Sequence, residues 1–82
     1  MIPRYLFEDF TPRALLLERL EVVKAHVATG ERSIAQQKWL IDKLTRAERP
    51  TTTAYEILRA IERTQAMYLE HRDRLERELA IS

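Results

Sequence analysis

Apolar residues recur along this chain at gaps that alternate between four and three. One line runs through Leu16, Leu20, Val23, Val27, Gly30, Ile34, Gln37, Ile41 and Leu44. That is the spacing of a single seam along an α-helix in a coiled-coil-like pairing. A second line at the same gaps runs through Ala54, Leu58, Ile61, Gln65, Tyr68, Arg72, Leu75 and Leu79. Two seams joined by a short break predict an all-α fold, a long antiparallel two-helix hairpin, because short connections make neighbouring helices antiparallel.

Local signals set the expected limits. Thr11 suits an N-cap and Pro12 the first helical position, where a missing N–H costs nothing. The first helix is expected over 11–47, continuing through Gly30 at a cost of about 1 kcal/mol. Pro50 disfavours helix at the preceding residue, so 48–52 reads as the turn. Thr53 and Glu56 have capping-box spacing, and the second helix is expected over 53–80. The whole of 1–82 reads as one helical-hairpin domain. Its arm, 1–10, carries Tyr5, Leu6, Phe7 and Phe10 and is too apolar for a free tail. It either folds onto the helices or grips a partner.

The seam residues suggest a register. Leu44 is expected opposite Leu58, Ile41 opposite Ile61, Gln37 opposite Gln65 and Ile34 opposite Tyr68. Gly30 then faces Arg72, Val27 faces Leu75 and Val23 faces Leu79. The two glutamines meet and can bond through their amides. The glycine leaves room for the arginine stem. Lys38 falls beside Glu62 and Lys24 beside Glu76, pairs that help select a register. The second helix then stops near Val22. Leu15, Leu16, Leu17 and Leu20 overhang it, and Trp39 points away from the seam. Large apolar patches mark interfaces. The expected interface therefore comprises Phe7, Phe10, Leu15, Leu16, Leu17, Leu20, Val22 and Trp39, and the expected assembly is a homodimer forming a four-helix bundle. A protein partner on the Trp39 face or the arm is the other use of these residues.

Composition narrows the chemistry. Fourteen basic and thirteen acidic residues leave a net charge of +1, without the basic excess of a dedicated nucleic-acid binder. No cysteine is present, which removes disulfides and thiolate metal sites. His26 and His71 are expected on one flank about two turns apart, too few and too far for a metal site. No cofactor is expected. Asp42, Glu48 and Glu56 gather near the turn without a pocket, so no catalytic residue is assigned. Lys38, Lys43, Arg46, Arg49, Arg59 and Arg63 give the turn end a basic tint that nearby carboxylates offset. No apolar run reaches the roughly 20 residues of a membrane span, nor is there a signal-peptide pattern at the start. A cytoplasmic location is expected.

Two stretches carry a resemblance. One is His26-Val27-Ala28-Thr29-Gly30-Glu31-Arg32 with Ile34, Ala35 and Gln37. The other is Thr64-Gln65 with His71-Arg72-Asp73-Arg74-Leu75. Together they resemble a group of short, uncharacterised helical proteins of rhizobia and related alphaproteobacteria, over Val23 to Leu79. The aromatic arm does not belong to that pattern. The resemblance implies a bacterial, cytoplasmic protein and supplies no catalytic residues. The sequence thus points to a non-enzymatic interaction or assembly module working through helix faces. The alternative is a small nucleic-acid-associated regulator using the basic turn end.

Overall fold

The computed structural model describes residues 12–81, so the arm with Phe7 and Phe10, and the Thr11 cap, lie outside it. Two helices fill that range: α1, Pro12–Arg46, and α2, Thr52–Ile81. Each end differs by one residue from the expected limits. Strong helix formers dominate both segments, and the one glycine, Gly30, sits inside α1 without breaking it. The helices lie against each other along their length as an antiparallel hairpin.

The turn has a specific chemistry. The Arg49 N–H donates to Leu44 O at 2.8 Å and the Glu48 N–H donates to Thr45 O at 3.1 Å. These two bonds make a Schellman cap, which ties off the last carbonyls of α1. The cap needs a left-handed residue, and Glu48 supplies it with φ 55°. Lys43 and Arg46 in the last turn complement the negative helix end. Pro50 follows, where a helix cannot continue. Tyr55 N–H then donates to Thr51 O at 2.9 Å. That first helical bond makes Thr51 the N-cap of α2, two residues before the expected Thr53.

Every residue of the two expected seams is buried or half-buried. The core forms two clusters. Ile41, Ala54 and Leu58 close the turn end, with Ile34 and Leu44 packed on them. Leu20, Val23 and Leu75 close the open end, with Leu16, Tyr68 and Leu79. Between them sits a polar waist built on Gly30 and Gln65.

These contacts correct the expected register by one heptad. Ile41 meets Ala54 rather than Ile61, and Leu20 and Leu16 meet Leu75 and Leu79. The two glutamines do not meet. Gln37 Nε2 donates to Ala54 O and Gln65 Nε2 donates to Val27 O, both at 2.9 Å. Gly30 faces Gln65, not Arg72, and a methyl built on Gly30 would land on the Gln65 carboxamide. Arg72 instead bonds its neighbour Asp73 at 3.1 Å. Lys24 lies 3.8 Å from Glu21 on its own helix. No ion pair among the described residues joins Lys24 to Glu76 or Lys38 to Glu62. The physical reason lies in the turn. A heptad shift leaves the same residues on the same seam, so the apolar pattern is blind to it. The capped turn over 47–51 brings α2 back early, and α2 reaches Arg13, whose guanidinium donates to Leu79 O at 3.3 Å. The leucine overhang is therefore absent: Leu20 is buried and Leu15 and Leu16 are half-buried, leaving Leu17 exposed.

Candidate interaction surface

The residues that flank the seam differ sharply between the two sides of the hairpin. One step from the seam on the first side, α1 places Arg19, His26, Ser33 and Leu40 at intervals of seven. On the same side α2 places Ile57, Thr64, His71 and Glu78. A step further out come Leu15, Val22, Thr29, Gln36 and Lys43 on α1 and Ala60, Met67 and Arg74 on α2. This side mixes apolar and small residues with a few charges, fewer than the other side carries. The second side carries Lys24, Glu31 and Lys38 from α1 against Glu62 and Glu76 from α2, with Leu17 and Tyr55 as its exposed apolar members.

Shallow grooves run along the first side. A groove of about 430 Å³ begins at Leu15 and continues past Arg19, Val22 and Val23 to His26, with Tyr68 and His71 as its α2 wall. A second, of about 350 Å³, carries on from His26 past Gly30 to Ser33, against Ala60, Thr64 and Tyr68. The His26 ring stacks on Tyr68 with centroids 4.7 Å apart and planes 11° off parallel. The pair separates the two grooves. The shifted register also brings His71 into the first groove beside His26, closer than the expected two turns.

Beyond the grooves, at the turn end, Leu40 and Ile57 flank the seam on this side, and Trp39 lies on the outer face of α1. Trp39 is 60% exposed, Leu40 39% and Ile57 45%. Lys43 Nζ lies 4.7 Å from the Trp39 ring centroid, a cation–π contact. Arg46 pairs with Asp42 at 3.1 Å. The nearby basic residues are thus partly committed to neighbours. Met67, at 69% exposure, stands midway along the side.

Of the residues expected at an interface, the structure brings Leu15 and Val22 together in the first groove and leaves Trp39 exposed at the far end of α1. It turns Leu16 and Leu20 into the hairpin's own core and puts Leu17 on the charged side. Leu40, Ile57 and Met67 were not expected. Their signal was present, since Leu40 and Ile57 occupy positions directly beside the seam and Met67 one step further out.

No family model, curated protein or solved structure matches this chain. Among the described residues no group of three or more His, Cys, Asp or Glu could hold a metal ion. None of the described helices is long and apolar enough to cross a membrane.

The surface ledger adds a quantity. The chain exposes 6740 Å². A folded monomer of 9.7 kDa exposes about 5,100 Å² by the usual size scaling, a surplus of about 1,600 Å². The elongation agrees: α1 alone has 35 residues, about 52 Å of helix.

Proposed function

We propose that this protein is a non-enzymatic assembly module that works through the apolar side of its hairpin, and that its first partner is a second copy of itself. The observation that carries the reading is the exposure of Leu40 and Ile57, which flank the seam on the same side from the two helices, on a chain with a large surface for its mass. A stable interface removes about 800 Å² from each partner, which the surplus accommodates. Two hairpins laid side to side make a four-helix bundle. Two-fold pairing is the commonest closed solution, because one patch then serves both copies.

Sedimentation equilibrium tests it. The wild type should sediment as a dimer at micromolar concentration. Ile57→Asp, which places an unpaired charge in the patch without touching the seam, should sediment as a monomer with unchanged helical circular dichroism. A monomeric wild type would refute the self-pairing. A dimer indifferent to Ile57→Asp would refute the surface.

A further inference from the structure

The side-to-side pairing leaves Trp39 unused. This ring lies on the outer face of α1, away from the seam, and is 60% exposed. The same face carries a second line at gaps of three and four, through Ala25, Ala28, Arg32, Ala35 and Trp39. One bulky ring therefore stands in a row of small side chains. The line continues at the same gaps to Glu21 before it and to Arg46 at the end of α1, both exposed. Its two ends carry opposite charge.

We propose that this face is a second self-pairing surface, on which α1 of one copy packs antiparallel against α1 of another. The charges set the direction. A parallel pair would place Glu21 against Glu21 and Trp39 against Trp39. In an antiparallel pair, a two-fold axis between the levels of Ser33 and Ile34 brings Trp39 onto Ala28 of the second copy. A large ring then meets a small side chain, twice by symmetry. Glu21 meets Arg46 of the second copy, and on the flank Glu31 meets its Lys38. Neither Glu31 nor Lys38 has an ion-pair partner among the described residues. Glu21 already has Lys24 at 3.8 Å and Arg46 has Asp42 at 3.1 Å, so their meeting joins four charges of alternating sign. Arg32 lies on Ala35 of the second copy, where its aliphatic stem has room. Its guanidinium donates to Thr29 Oγ1 at 3.2 Å, which draws the charge away from the axis and from its own symmetry mate. One patch that is complementary to itself fits a second copy of this chain. The contact is one helix against one, smaller than the side pairing, so it engages at higher concentration and links side-paired dimers into larger assemblies. It stands on observations separate from those at Leu40 and Ile57.

The test is sedimentation velocity of the full chain carrying Ile57→Asp, which silences the side pairing, from micromolar to near-millimolar concentration. The protein should pass from monomer to dimer, and the emission of its single tryptophan should move to the blue over the same range. Glu21→Arg and Arg46→Glu, each added alone, set like charges face to face and should each raise the dissociation constant about tenfold or more. Mixing these two variants, or combining both changes in one chain, should restore association, because opposite charges meet again. Restoration in the mixture also shows that each variant is folded. A monomer throughout, an emission that does not move, or single variants that associate unchanged would overturn the proposal. So would a swap that fails to restore. The charge-swap pattern reads this face alone, so it and the side pairing can fail separately.

Discussion

Gly30→Ala should destabilise this protein, although alanine is the better helix former. On propensity alone the change contributes about 1 kcal/mol in favour of the folded state. The structure opposes it. The new methyl would overlap the Gln65 carboxamide, with Oε1 its nearest neighbour and Nε2 at 3.1 Å. Gln65 is 6% exposed, and its Nε2–Val27 O bond crosses the seam. No donor among the described residues reaches its Oε1; what faces that oxygen is the Gly30 α-hydrogen, a weak C–H···O contact. Displacing the carboxamide breaks the Nε2 bond and leaves a buried amide unpaired, which costs about 1–3 kcal/mol. The net effect of Gly30→Ala is then a loss of about 1 kcal/mol. In a Gln65→Ala background the obstruction is gone, and the same substitution should raise stability by about 1 kcal/mol. The coupling across the cycle is about 2 kcal/mol, within the range for residues in contact. Urea unfolding followed by circular dichroism measures all four corners, at one fixed protein concentration because self-association shifts apparent stability. As a thermal shift, 1 kcal/mol corresponds to about 4–8 °C for a chain of this size. If Gly30→Ala stabilises both backgrounds equally, Gly30 and Gln65 do not touch, and the register is wrong.

Two further outcomes test the turn and the open end. Glu48→Gly should stabilise the protein by about 1 kcal/mol in urea unfolding, since Glu48 holds φ 55° and a left-handed residue with a Cβ costs about 1–2 kcal/mol; no gain would mean the turn is built differently. Leu20→Ala should cost about 2–5 kcal/mol, as for a buried leucine, whereas Leu17→Ala on the exposed side should stay within about 0.5 kcal/mol; equal effects would restore the overhang that the register removes.

Much of the fold was legible because helical periodicity is a local property. The two seams, their interruption near Pro50 and the limits of both helices to within a residue follow from spacing and the proline, although the N-cap of α2 is Thr51 and not Thr53. The register was not legible, for a reason tied to particular residues. Gln37 opposite Gln65 and Gly30 opposite Arg72 look as sensible on paper as Gly30 opposite Gln65. The choice between them rests on the left-handed turn residue, and here that residue is a glutamate, which gives no sign of the role a glycine would announce. The same slip displaced the candidate surface. In a register one heptad out, α2 stops short of Leu15, Leu16, Leu17 and Leu20, and this apparent overhang outweighs Leu40, Ile57 and Met67 near the seam.

The split core also sets an order of assembly. Ile41 and Ala54, which join the turn-end cluster, are 13 residues apart in the chain; Leu20 and Leu75, at the open end, are 55 apart. Closing the longer loop first costs about 1.3 kcal/mol more in chain entropy. The hairpin therefore zips from its turn. The first cluster forms next to the Schellman cap, and growth then has to pass the waist, where a glycine and a buried amide offer no apolar gain. Only beyond it do Val23, Leu20 and Leu75 close. The waist divides the molecule into a half that can form early and a half that depends on it, so the open end is the part that can splay while the turn end stays closed.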